Sequence, residues 1–114
     1  MKFFIDTANL EQIKEAQDLG VLDGVTTNPS LINKAKTPFE KLIKNICSEI
    51  KGPVSVETVA ESSSQMINQG VRLSKMAKNI VVKLPMTWEG IKACLELSKI
   101  NINTNVTLCF SASQ

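Results

Sequence analysis

Short apolar runs alternate along this chain with longer segments in which apolar residues recur every three or four positions. The first run is Lys2–Asp6 (KFFID). A helix is predicted from Asn9 to Leu19, with Leu10, Ile13 and Ala16 on one face and Gly20 standing where a C-terminal cap would. Gly24–Thr27 (GVTT) is the second run, and Asn28-Pro29 after it is a turn signal. The clearest helix opens at Thr37-Pro38-Phe39-Glu40, where Thr37 can cap the free N–H of Glu40, Pro38 sits at the tolerated first position and Glu40 can reach back. Phe39, Leu42, Ile43, Ile46, Cys47 and Ile50 then form one apolar stripe, which Gly52-Pro53 ends.

Val54–Val59 (VSVETV) is the third run. A helix follows over roughly Ser63–Lys78, with Met66, Ile67 and Val71 on its inner face. Ile80–Leu84 is the fourth run, Thr87–Lys99 a helix carrying Trp88, Ile91, Cys94 and Leu95, and Asn105–Phe110 (NVTLCF) the fifth run.

Five strands separated by helices predict right-handed βαβ units and one parallel sheet. No linker or low-complexity segment interrupts them, so residues 1–114 read as a single domain. Two architectures fit: an open doubly wound sheet, or part of a (β/α)8 barrel. A whole barrel typically takes ~250 residues and rarely fewer than ~200. A chain of 114 residues supplies only part of one.

Composition narrows the function. The net charge is +2, and the lysines are scattered and joined by a single arginine, Arg72. Tyrosine is absent and aromatic residues make up 4%, too few for base-stacking platforms, which argues against nucleic acid as a partner. Cys47, Cys94 and Cys109 fit neither a metal spacing nor a disulfide framework, and no histidine is present, so no metal or other cofactor is expected. All three cysteines are expected to be buried thiols in a reducing compartment. MKFFIDTANLEQ meets charge within six residues, unlike a signal peptide, and no apolar run approaches the ~20 residues of a membrane span. The expectation is a soluble, cytoplasmic protein with no membrane partner.

Polar residues interrupt the apolar runs in a regular way. Asp6 ends the first, Asn28 follows the second, Glu57 lies inside the third, Lys83 near the end of the fourth, and Asn105 and Thr107 in the fifth. Strand C-termini of a parallel sheet all point one way, and ligands collect there in open sheets and barrels alike. Each residue also has a plain structural explanation. Asp6 can cap Ala8 or Asn9. Asn28-Pro29 can be a simple turn, Asn105 a strand start and Thr107 an ordinary strand residue. Glu57, among Val54, Val56 and Val59, is harder to dismiss, although alternation lets it face solvent on an edge strand.

Lys83 stands apart. A central parallel strand is covered on both faces, so the lysine must snorkel past the strand end or lose water. Desolvation disfavours an ammonium, and the uncharged amine is the form that attacks a carbonyl to make a Schiff base. A carboxylate such as Glu57 can then shuttle protons. The alternative is a structural ion pair of Lys83 with Glu57 or Asp6. The pattern alone leaves both open.

Five motifs, IDTAN at Ile5–Asn9, GVTTNPSL at Gly24–Leu31, VSVE at Val54–Glu57, VKLPMT at Val82–Thr87 and NVTLCF at Asn105–Phe110, resemble the transaldolase family. The spacing is similar to its small branch, which includes fructose 6-phosphate aldolases. The resemblance implies a class I aldolase (β/α)8 barrel, of which this chain covers about five of the eight βα units. It implies that a dihydroxyacetone unit is moved from sedoheptulose 7-phosphate to glyceraldehyde 3-phosphate, giving erythrose 4-phosphate and fructose 6-phosphate.

Within that resemblance Lys83 matches the Schiff-base lysine and Asp6 the acid/base for the C4 hydroxyl. Glu57 matches the carboxylate acting through a catalytic water, Thr107 the hydroxyl that helps hold the water, and Asn28 and Asn105 the amides that bind the donor's hydroxyls. Aldolases of the branch carry glutamine where Glu57 stands, so the glutamate favours a transaldolase, while Thr58 replaces an expected valine. The serine and arginine for the substrate phosphate belong to units after Gln114, and no motif here replaces them. The resemblance therefore implies sugar phosphates as partners, a homo-oligomer for the complete enzyme, and a half-barrel whose open edges make it poorly stable, oligomeric or dependent on a partner. A fructose 6-phosphate aldolase is the nearest alternative. A non-catalytic α/β interaction module with a merely paired Lys83 is the alternative of another class.

Overall fold

The computed structural model describes residues 1–114, and each of the five apolar runs becomes a strand. The order along the chain is β1 (Phe4–Asp6), α1 (Leu10–Asp18), β2 (Gly24–Thr26), α2 (Pro29–Lys34), α3 (Phe39–Glu49), β3 (Val54–Glu57), α4 (Ser63–Ser74), β4 (Ile80–Pro85), α5 (Trp88–Lys99) and β5 (Thr104–Thr107). The strands lie in one parallel sheet in the order β1-β2-β3-β4-β5. Parallel crossovers are right-handed, and here they never reverse direction, so the helices all fall on one face. An open doubly wound sheet would show a reversal and helices on both faces. The architecture is that of a partial (β/α)8 barrel.

Register sorts the strand residues into two sets. Val25, Val54, Val56, Ile80, Val82 and Leu84 point under the helices and are buried. They meet Ile13, Ile43, Ile46, Met66, Leu73, Ala93 and Leu97 from the helical layer in one continuous core. Gly70 of α4 lets this layer close: a Cβ there would lie 2.8 Å from Leu97 and 3.3 Å from Val82. The opposite set, Asp6, Thr26, Ser55, Glu57, Lys83, Asn105 and Thr107, shares the other face of the sheet.

Local chemistry moves several boundaries. Asn28-Pro29 is a helix start rather than a simple turn, because Asn28 caps the Leu31 N–H (2.9 Å) and Pro29 takes the first turn of α2. The box expected at Thr37 is not formed. Pro38, at ψ 138°, is itself the N-cap, so α3 begins one residue later and Thr37 makes no side-chain cap. The first strand starts at Phe4 and the third stops at Glu57. The helix expected to reach Lys78 ends at Ser74, where the chain turns back to start β4 at Ile80. The fifth strand is Thr104–Thr107 rather than Asn105–Phe110, since Leu108 takes a left-handed φ of 62° that leaves the sheet.

The cysteines also divide. Cys47 is buried, and burial pushes its thiol up to about 11. Cys94 is half-buried and Cys109 exposed. Trp88, Ile91 and Leu95 of α5 are exposed as well, because the inner face of that helix is Gly90, Ala93 and Leu97. The outermost strands are β1 and β5, each with one open edge, as expected. No helix is long and apolar enough to cross a membrane.

Candidate active site

The six candidate residues share one parity. Asp6, Glu57, Lys83, Asn105 and Thr107 project from the face away from the helices, at the C-terminal ends of their strands. Asn28 follows Thr26 by two positions and stands just past β2. Alternation dictates this: a residue needed on the open face must sit two positions from the next, with a core residue between.

Glu57 and Lys83 are direct register partners on β3 and β4, and Lys83 in turn pairs with Asn105 on β5. The Lys83 Nζ lies 3.6 Å from Glu57 Oε2, with side chains only 13% and 17% exposed. Nζ also donates to the main-chain carbonyl of Thr27 at 3.2 Å. Lys83 therefore bends across β3 toward β2 at the mouth of the sheet rather than snorkelling outward, and it is paired with Glu57 rather than Asp6.

Asp6 is exposed and accepts a hydrogen bond from Thr26 Oγ1 at 2.8 Å. It caps nothing: Asn9 caps α1 through Glu11 and Gln12, while Thr7 Oγ1 receives the Asn9 N–H. Its second carboxylate oxygen has no hydrogen-bond partner. The two asparagines are held in opposite senses. Asn28 uses its carbonyl oxygen on Leu31, which leaves its NH2 to donate. Asn105 donates Nδ2 to Ser55 Oγ at 3.1 Å, which leaves its oxygen to accept. Thr107 stands two strand positions beyond Asn105 on the same face, level with Pro85.

Thr26 and Ser55 were missed by the sequence reading. They lie two positions before Asn28 and Glu57, so extending the alternation backward would have found them. Thr27 contributes a main-chain oxygen, for which side-chain identity carries no signal. Arg72 lies on α4 beside a hollow of about 310 Å³ that Phe39, Glu57, Val59, Leu73 and Met76 also line. Of the six candidate residues only Glu57 reaches this hollow. No cluster of His, Cys, Asp or Glu has metal-ligand geometry.

Chemically, the arrangement offers an amine shielded from water, a carboxylate paired with it at 3.6 Å, a second carboxylate on β1, two strands from the first, and amides presenting one donor and one acceptor. Residues 3–114 match the family model described as Transaldolase/Fructose-6-phosphate aldolase. Over all 114 residues the chain is 58% identical to a probable transaldolase of Methanococcus vannielii, 55% to probable transaldolase 1 of Bacillus cereus and 52% to a probable transaldolase of Leptospira biflexa. Each alignment covers 100% of this chain and 53% of the relative. The chain thus spans about half the length of the curated relatives it matches.

Proposed function

Because the chain belongs to the transaldolase/fructose-6-phosphate aldolase family, we propose that it carries the imine-forming half of a transaldolase site, with Lys83 as the nucleophile. The observation that carries this reading is the Lys83 amine, 13% exposed and 3.6 Å from Glu57, at the C-terminal end of a parallel strand.

The Nζ lone pair attacks the ketone carbon of the donor sugar phosphate and forms a C–N bond. The ketone oxygen takes two protons, one given up by the attacking nitrogen and one supplied from solvent, and leaves as water, with Glu57 shuttling both, and a protonated imine results. Asp6 accepts the C4 hydroxyl proton as the C3–C4 bond breaks, and the bonding electrons pass into the iminium to give an enamine. The aldose released from sedoheptulose 7-phosphate is erythrose 4-phosphate. The enamine then attacks glyceraldehyde 3-phosphate, whose carbonyl oxygen takes a proton, and hydrolysis of the imine frees fructose 6-phosphate and Lys83. Asn28 donates to, and Asn105 accepts from, the hydroxyls of the three-carbon unit, while Thr107 and Glu57 orient the water used in dehydration and hydrolysis.

Borohydride trapping with fructose 6-phosphate, read by intact mass and peptide mapping, tests this. The expected result is a stable adduct on Lys83 that Lys83→Met abolishes. A folded chain that gives no adduct would remove the imine role. A second reading, a fructose 6-phosphate aldolase, is disfavoured by the glutamate at position 57. Free dihydroxyacetone released from fructose 6-phosphate without an acceptor aldehyde would favour it instead.

A further inference from the structure

We propose that Thr27 is a positioning residue for Lys83, acting through its main-chain carbonyl, which holds the amine while the lysine changes its bonding. The proposal rests on the imine-forming reading of Lys83 and adds to it the group that aims the nucleophile.

The carbonyl is available because of how β2 ends. Thr27 N–H donates to Ser55 O at 3.0 Å, the last rung between β2 and β3. In a parallel ladder the next rung would run from the Glu57 N–H to Thr27 O. It is not formed, because the chain turns at Asn28-Pro29 into α2. A buried carbonyl left out of the ladder needs another donor, and Lys83 Nζ supplies it at 3.2 Å. The carbonyl cannot drift. Thr27 is fully buried, and its hydroxyl makes a second bond to the same Ser55 oxygen at 2.8 Å.

A neutral carbonyl suits this task better than Glu57 does. It takes up no proton, so it can keep its bond through every stage of the reaction. The ammonium donates one N–H to it. The free amine donates one of its two N–H bonds and leaves the lone pair free to attack. The protonated imine retains a single N–H, which the same oxygen can accept. Glu57 is thereby released to move protons rather than to anchor the nitrogen. The Thr27 hydroxyl lies on the helical side of the sheet, bonded to Ser55, so it acts on Lys83 only through the carbonyl.

The test compares Thr27→Val, which keeps shape and loses the hydroxyl clamp, with Thr27→Ser, which keeps the clamp and loses a buried methyl. Both are expected to lower the thermal midpoint, measured by circular dichroism. Trapping on Lys83 is then followed with borohydride and dihydroxyacetone, a probe that carries no phosphate. At equal folded fraction, Thr27→Val should trap about tenfold more slowly, the order expected when a bond to a charged group is loosened. Thr27→Ser should stay within about twofold of the parent, because its clamp is intact. Equal trapping by Thr27→Val and the parent overturns the proposal. So does a fall in both variants that follows their loss of stability, which marks a merely structural threonine. A folded parent that gives no adduct at all sinks the imine reading itself, a result distinct from either of these.

Discussion

The Lys83–Glu57 pair lends itself to a double-mutant cycle of Lys83→Met, Glu57→Gln and both together. Two unit charges 3.6 Å apart attract by roughly 4–5 kcal/mol at an effective dielectric of about 20. Much of this is offset by the loss of hydration on both groups. Exposed pairs measure about 0–1 kcal/mol, and breaking a buried pair costs about 3–5 kcal/mol. With side chains 13% and 17% exposed, this pair stands nearer the second case but is not dry, so a coupling of about 1.5–2.5 kcal/mol is expected.

Lys83→Met should cost more than Glu57→Gln, because it leaves a shielded carboxylate without its partner and also vacates the Thr27 carbonyl. Glutamine still offers an oxygen to the ammonium. Urea unfolding of the four proteins at neutral pH, with unchanged m-values as the check on two-state behaviour, gives the coupling directly. A coupling within about 0.5 kcal/mol of zero would mean that the two groups do not sense each other. A Lys83→Met variant more stable than the parent would show that hydration loss outweighs attraction. Either result would refute the electrostatic argument for a shielded, proton-exchanging pair.

Three further outcomes follow from other parts of the molecule. Glu89 is held down at about 2, first by the hydrogen bond from Lys92 and next by the Ser63 N–H. A depressed carboxylate stabilises above its unfolded value and loses that contribution as pH falls through its folded one. Glu89→Gln should therefore flatten the stability profile between about 4.5 and about 2, and a parallel pair of pH–urea profiles would show otherwise. Thiol titration with an aromatic disulfide should modify Cys109 first, Cys94 more slowly and Cys47 only on unfolding, since burial pushes the Cys47 thiol up to about 11; rapid labelling of Cys47 in the native state would contradict its burial. Gly70→Ala should destabilise by about 0.5–2 kcal/mol despite better helix propensity, because overpacking outweighs the gain. The added Cβ would meet the fully buried Leu97 at 2.8 Å, and a stabilised variant in a thermal melt would mean that Leu97 has room to move.

The site was more legible in the sequence than the boundaries of the elements were. Alternation is strict in a strand, so polar residues among valines and isoleucines marked both the strands and the face they share, and Asp6, Glu57, Lys83, Asn105 and Thr107 came out on one side. Boundaries depend on backbone angles at single residues. Pro38 reads equally well as a first helical residue or as the residue before it, and its ψ of 138° decides. Nothing in NVTLCF announces the left-handed turn at Leu108. α2 was missed because its six residues, PSLINK, are too few to show a period, although the cap that starts it is the same Asn28 singled out for chemistry. The stripe Trp88, Ile91, Cys94 and Leu95 has helical spacing, yet the packing surface of α5 is the smaller set Gly90, Ala93 and Leu97. Close approach to β4 and α4 selects small residues that a search for apolar bulk passes over.

A monomer of 12.5 kDa would ordinarily expose roughly 6,200 Å², and this chain exposes 7312 Å². The surplus includes apolar side chains at the α5–β5 edge, Trp88, Ile91, Leu95, Val106 and Phe110, and at the opposite edge, Phe3 and Phe4. Asp6 shares that exposure, but Lys83 and Glu57 do not, and Lys83 is shielded although the face it occupies has no second wall. Its cover is local: Glu57 beside it, Thr27 across the sheet, and Asn105 as its register partner on β5. The shielding of Lys83 is therefore built by β2 to β5 alone. A grip on a phosphate would be a separate requirement, and the one arginine of this sequence, Arg72, lies on α4. The two requirements come apart physically. The chain should form an imine with a small ketose at a rate set by Lys83 and its neighbours, and should gain little when a phosphate is added to that ketose. Trapping dihydroxyacetone and fructose 6-phosphate side by side measures this separation. A strong preference for the phosphorylated sugar would place a phosphate contact among these five strands and overturn the division.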